Sequence, residues 1–151
     1  MQISTDVRAI VESDALAHVV TLDADGAPHV SLAWAGIDDD EVVIGTLFDQ
    51  RKLQNLRRDP RISISFETGH RNEQGLDEYV VLHGTARVTE GGAPELLQRL
   101  SVAHLGPGVK FPPMDGPPPG FVVRVAIDRI TGVAPSIYYM YYPWAATIGA
   151  R

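Results

Sequence analysis

Three β-type runs follow one another near residues 16–22, 28–35 and 41–48, separated by turns at Asp23-Ala-Asp-Gly26 and Asp38-Asp-Asp40. Connections of roughly five residues are too short for the crossover that parallel neighbours require. The runs must therefore fold back on one another as an antiparallel meander. That constraint removes parallel α/β architectures for this part of the chain.

The period of the sequence then changes. In "DQRKLQNLRRDP", Leu53 and Leu56 fall on one helical face, Asp49 is placed to cap the helix, and Pro60 disfavours helical geometry at Asp59. A helix is expected from about Gln50 to Arg58. Beyond it Ile62, Ile64 and Phe66 alternate with Ser63 and Ser65, the period of a half-buried strand. "GHRNEQGLDE" reads as a loop, and a long strand is expected from about Glu78 to Val88, where Gly84 marks a bulge, a barrel bend or a close approach.

A short helix is expected over Thr5 to Ser13, with Ser4 or Thr5 as its cap, and another over Ala93 to Leu105, with Leu96, Leu97 and Leu100 as its apolar stripe. "GPGVKFPPMDGPPPG" sustains neither helix nor inner strand. Phe121 to Ile130 form a last strand, and "SIYYMYYPW" is an aromatic cluster near the end of the sequence. The elements together predict an α+β, mainly β fold: a six-stranded antiparallel split or closed β-barrel with short flanking helices. At 151 residues, of which 44% are hydrophobic, the expectation is a single domain spanning 1–151.

The net charge of -6 argues against nucleic acid as a partner, because such binding needs an extended cationic face. No cysteine is present, so thiolate metal sites and cysteine nucleophiles are excluded and redox chemistry needs a borrowed cofactor. The five histidines lack metal-ligand spacing on one predicted helix, and no metal is expected. No run of about twenty apolar residues and no secretory pattern at the N-terminus is seen, so the expectation is a cytoplasmic protein with no membrane partner.

Within this acidic chain Arg51, Lys52, Arg57, Arg58 and Arg61, five of the thirteen Lys and Arg, lie within eleven residues. Arg57, Arg58 and Arg61 sit where a helix C-terminus favours cations, with Asp59 or Glu67 as available partners. Arg51 and Lys52 sit in the first turn, where unsatisfied N–H groups and the helix dipole already attract anions. Charge there serves the helix poorly and suits a phosphate or carboxylate held by both side chains and amides. Thr46, just upstream, adds a hydroxyl. His29, Ser31 and Trp34 offer a few polar groups and an aromatic wall for a planar ring, although Trp34 is equally readable as a core or interface aromatic. No nucleophile elbow surrounds Ser31, which argues against a hydrolytic triad.

The combination "VVTLDADGAPHVSLAW", "QRKLQNLRRDPRISISF" and "YVVLHGTARV" resembles the pyridoxamine 5'-phosphate oxidase-like split-barrel family, and within it the actinobacterial flavin or deazaflavin (coenzyme F-420)-dependent oxidoreductases. The resemblance spans most of residues 10–130. It implies a homodimer with cofactor clefts at the subunit interface. It makes Gln50, Arg51, Lys52 and Asn55, with Thr46 beside them, contacts of the cofactor tail. It makes Val30, Ser31, Leu32, Ala33 and Trp34 the ring-side strand, with backbone contacts expected at Leu32 and Ala33, where many relatives are more polar.

The activity so implied is hydride transfer from reduced F-420 to an unsaturated or conjugated small molecule, with solvent, His29, Tyr138 or Tyr141 as proton source. FMN would use the same cationic helix start. A non-catalytic cofactor carrier or haem-binding protein is the reading from another class, since the fold alone does not decide. The glycine–proline excursion and the aromatic tail either close over the cleft as a lid or cover a barrel end and the dimer interface, with the latter favoured.

Overall fold

A computed structural model of the chain describes residues 1–135 and Ile137. Its elements are α1 (Thr5–Val11), β1 (Ala17–Leu22), β2 (Pro28–Ala33), β3 (Gly36–Asp38), β4 (Glu41–Thr46), α2 (Arg51–Arg58), β5 (Arg61–Arg71), β6 (Asp77–Glu90), α3 (Ala93–Leu105) and β7 (Phe121–Val133). The strands form one seven-stranded sheet in the order β2-β1-β5-β6-β7-β4-β3. Every pairing is antiparallel.

The seventh strand comes from the run expected at 28–35. It breaks at Trp34 and Ala35: β2 pairs with β1, whereas β3 pairs with β4 at the far end of the strand order. Two linking residues span roughly 10 Å at most. The two edges of the sheet are therefore drawn together, and the sheet curls into a split barrel with Trp34 at the seam.

Inside the barrel Val19, Ile44, Ile64, Phe66, Val80, Leu82 and Val125 are fully buried, and α1 and α2 plug it with Val7, Val11, Leu53 and Leu56. The period-2 alternation of Ile62, Ile64 and Phe66 read from the sequence is the inward face of β5. In β4, Val42, Val43 and Ile44 are all buried, because Val42 and Ile44 face the barrel core while Val43 packs with Leu96, Leu100 and Val122 beneath α3. An uninterrupted apolar run is what a strand covered on both faces requires.

Gly84 lies where the β6–β7 register shifts, with His83 opposite Arg129 but Gly84 opposite Ile127. A Cβ on Gly84 would lie 2.1 Å from the Ala126 carbonyl oxygen, so the bulge and the close approach expected there are the same feature. The loop read at residues 69–78 is shorter than expected. β5 continues to Arg71 and β6 starts at Asp77, and the Asn72 side-chain oxygen accepts the amides of Gln74 and Leu76 to form the tip. A register irregularity between Glu67 and Arg71 lets the hairpin extend that far. Among the described residues no helix is long and apolar enough to cross a membrane.

Candidate functional site

α2 docks on the barrel through Asn55, which is 3% exposed. Its amide donates to Thr21 Oγ1 and to Asp23 Oδ1, both at 3.0 Å, and its oxygen accepts from Arg58 Nη2 at 3.1 Å. Arg58 also donates to the Leu22 carbonyl. Two of the amide's bonds thus fix the helix against β1 and the turn after it, and the third ties Asn55 to Arg58 on the same helix. Asn55 acts on the site by placing α2.

The cap of α2 differs from the sequence expectation. Gln50 is the N-cap residue and makes no side-chain capping bond, while the Asp49 carboxylate accepts from Arg57 Nη1 at 3.0 and 3.1 Å. An available guanidinium competes successfully for a carboxylate that would otherwise reach the helix amides. The Gln50 carbonyl accepts from Leu53 and Gln54. The amides of Arg51 and Lys52 precede these intrahelical donors and are left at the helix start for another acceptor.

The cationic cluster divides by partner. Arg57 pairs with Asp49, Arg61 with Asp59 at 2.6 Å, and Arg58 with backbone and Asn55. Arg51 is mostly solvent-exposed, with Asp23 at 3.7 Å. Lys52 is 6% exposed, and no ion pair or hydrogen bond of its ammonium is recorded among the described residues. Burial pushes its pKa down from the usual lysine value. An ammonium taken from water without a counter-charge is unfavourable unless something supplies the charge.

Lys52 borders a cleft of about 370 Å³. Thr46, Gln50 and Lys52 form its polar part, and Leu16, Leu32, Ala33, Trp34, Leu97 and Phe111 form most of its apolar wall, with Gly45, Leu47 and Phe48 completing it. The Thr46 hydroxyl donates to the Phe48 carbonyl at 2.7 Å, which leaves its oxygen free to accept. Gly45 keeps the wall thin: a Cβ there would sit 3.3 Å from Leu97 Cγ. The size is within the range of small-molecule sites, which are mainly apolar with a few placed polar groups.

Of the residues predicted from sequence, Leu32, Ala33, Trp34, Thr46, Gln50 and Lys52 line this cleft. Val30 is 59% exposed on edge strand β2, and Arg51 lies at the solvent side of the helix start. Ser31 faces inward opposite Val19, its buried hydroxyl without a hydrogen-bond partner among the described residues. His29 stands opposite Thr21 and does not line the cleft. Tyr138, Tyr141 and most of the aromatic tail lie outside the described residues. Sequence reasoning missed Leu16, Gly45, Leu47, Phe48, Leu97 and Phe111 as wall residues. The lone aromatic ring in a glycine- and proline-rich stretch was the signal for Phe111.

Trp34 itself is both wall and packing element. It packs on the Val43–Leu96–Leu100 cluster, stacks on His104 with centroids 4.9 Å apart and planes 5° from parallel, and meets Phe111 at 4.8 Å and 50°.

A sheet curled so that its edge strands adjoin, with the start of a helix beside an apolar cleft at its side, defines a split-barrel protein. The sequence model described as pyridoxamine 5'-phosphate oxidase matches residues 3–134, and the chain belongs to that family. No curated protein sequence matches it significantly. Among solved structures it is similar to an F420 reductase, at 15% identity and a TM-score of 0.68 over 85% of this chain and 98% of that one. It is similar to Rv2991 of Mycobacterium tuberculosis, at 24% identity and a TM-score of 0.65 over 87% and 84%. A FAD-binding protein of Mesorhizobium loti aligns at 18% identity and a TM-score of 0.57 over 86% and 94%. At these identities the likeness is one of fold.

Proposed function

We propose that the protein is an oxidoreductase that binds the deazaflavin coenzyme F-420 and transfers hydride to an unsaturated or conjugated small molecule. The observation that carries this reading is Lys52: a side chain only 6% exposed, with no recorded acidic partner among the described residues, at a helix start and beside an apolar cleft. An anionic group with a flat apolar body complements both features. The residues fit such a cofactor. Lys52, Gln50 and the first amides of α2 hold the phosphate of the tail, Arg51 meets further negative charge where the tail enters solvent, and the Val30–Trp34 strand flanks the ring.

Held by Lys52, Gln50 and the first amides of α2, a reduced deazaflavin would supply the hydride, and a proton from solvent would complete the two-electron reduction of the acceptor. The chain's contribution is orientation and exclusion of water by Leu16, Leu97, Phe48 and the aromatic wall. The similarities to an F420 reductase and to a FAD-binding protein support a flavin-like ligand in this fold.

FMN is the second reading, favoured by the compactness of the cationic site: one buried lysine and one helix start suffice for a terminal phosphate. Titrating the purified protein with F-420 and with FMN, followed by reduction and addition of an acceptor, separates the two. Binding of neither at micromolar concentration defeats both, and saturable haem binding instead would favour a carrier.

The active unit in this reading is a homodimer. Val30 and Leu32 are 59% and 56% exposed on edge strand β2, and Leu16 beside them is 44% exposed. An unpaired apolar edge is an aggregation hazard unless covered, and a second copy laid there would close the cleft. Light scattering should then report twice the 16.4 kDa of the chain; a mass of one chain at working concentration would remove this part of the proposal.

A further inference from the structure

In a regular strand successive side chains point to opposite faces. The bulge between β6 and β7 breaks that alternation. Arg129 stands opposite His83 and Ile127 opposite Gly84, so Asp128 is the extra residue, with no partner of its own in the ladder. Ile127 is buried in the barrel, whereas Asp128 and Arg129 are both exposed. Both line a second pocket, of about 330 Å³, that spans β1, β5, β6 and β7. None of its residues lines the cleft beside Lys52.

The charges around this pocket are not all matched within the chain. Arg61 is tied to the Asp59 carboxylate through Nε at 3.0 Å and Nη2 at 2.6 Å. Asp128 and Arg129 make no ion pair or hydrogen bond recorded among the described residues, with each other or with a third group. Both ring nitrogens of His83 are engaged, Nδ1 with Ser63 Oγ at 2.9 Å and Nε2 with Thr131 Oγ1 at 3.2 Å. Burial and the Arg129 guanidinium push the His83 pKa below the usual histidine value, against the opposite pull of Asp128, so the ring is mainly neutral at pH 7. The pocket is left with one unpaired cation and one unpaired carboxylate, together with the apolar side chains of Val20 and Leu22.

We propose that this pocket binds a small zwitterion, an α-amino acid with an apolar side chain: Arg129 takes the carboxylate, Asp128 takes the ammonium, and Val20 and Leu22 take the side chain. Arg129 and Asp128 are consecutive, with Cα atoms about 3.8 Å apart. A ligand whose two charges share one carbon matches so close a pair. A simple anion meets Arg129 but sets its charge against Asp128, and a simple cation does the reverse. The Ser63 and Thr85 hydroxyls line the same pocket and add hydrogen-bonding groups for the carboxylate. The site is separate from the cofactor cleft and does not depend on the oxidoreductase reading.

The test titrates L-leucine into the full chain without cofactor and follows the backbone amides of His83 to Thr85 and of Ile127 to Arg129 by NMR. Saturable shifts are expected there. Isocaproate, which lacks the ammonium, and isoamylamine, which lacks the carboxylate, should bind at least about fivefold more weakly. Arg129→Gln and Asp128→Asn, with folding verified by thermal melts, should each raise the leucine Kd at least about fivefold, whereas Lys52→Ala should change it by less than about twofold. Absence of saturable shifts at these amides, equal affinity for leucine and either analogue, or an unchanged Kd in folded Arg129→Gln overturns the site. Leucine binding that is lost in Lys52→Ala and kept in Arg129→Gln would move the ligand to the cleft and overturn it as well.

Discussion

Arg51 and Lys52 are adjacent in the chain, yet the guanidinium of Arg51 stands in solvent with Asp23 at 3.7 Å, whereas Lys52 is 6% exposed with no recorded partner among the described residues. The helix start therefore carries one charge near a carboxylate and one with no ion pair among the described residues. This asymmetry makes Lys52 the residue on which the functional reading turns.

Replacing Lys52 by Met should stabilise the cofactor-free protein by up to about 1 kcal/mol, because it removes a partly desolvated, unpaired charge and keeps the volume. The pH dependence follows from the lowered pKa. Between that value and the usual 10.5 the unfolded chain binds more protons, so stability of the natural protein rises with pH across this window. The advantage of Lys52→Met should accordingly be largest near neutral pH and shrink as pH approaches 10.5. Denaturant melts at several pH values measure it; a less stable Met variant at pH 7 would show that Lys52 has a partner in the free protein.

Asn55→Leu should lower stability by about 2–3 kcal/mol, since it leaves buried Thr21 and partly buried Asp23 without their donor. Arg58→Ala should cost about 1–2 kcal/mol in the same assay and change cofactor affinity less than Lys52→Ala does. Equal affinity losses at Arg51, Lys52 and Arg58 would reject the division of the cluster.

The Arg61 side chain and amide both bond to the Asp59 carboxylate, which holds its pKa at about 2, below the ordinary 3.8. Its small contribution to stability is present above 3.8 and is lost as pH falls through about 2. Carboxyl NMR titration should find this low midpoint, and Arg61→Gln should return it toward 3.8. An unshifted midpoint in the natural protein would mean that the pair does not persist in solution.

Gly84→Ala should destabilise the barrel by roughly 3 kcal/mol or more, because its methyl meets the Ala126 carbonyl oxygen at 2.1 Å and rigid backbone must move. A melting temperature equal to that of the natural protein would show that the bulge relaxes freely.

Much of the fold was legible because it is written in local period and turn chemistry. The alternation of Ile62, Ile64 and Phe66, the hairpin turns and the Pro60 stop are each set by a few neighbouring residues. The break at Trp34–Ala35 was not, because both halves remain β-type and only the distant partners β1 and β4 distinguish them. Asp49 failed as a cap for a similar reason: its partner Arg57 lies on the same helix but outside the capping pattern. In the site, helix-end electrostatics separated Lys52 from Arg57, Arg58 and Arg61. They could not separate it from Arg51, since burial is tertiary. Phe111 reaches the cleft only because Gln98, on another element, holds its loop.

Titration of the purified protein with F-420, alongside Lys52→Ala, tests the account most directly. Saturable binding at micromolar concentration is expected for the natural sequence, with a loss of about 1–3 kcal/mol, or roughly five- to 150-fold in Kd, in the variant. Unchanged affinity in a folded Lys52→Ala protein, or no binding of F-420 by the natural one, would contradict it.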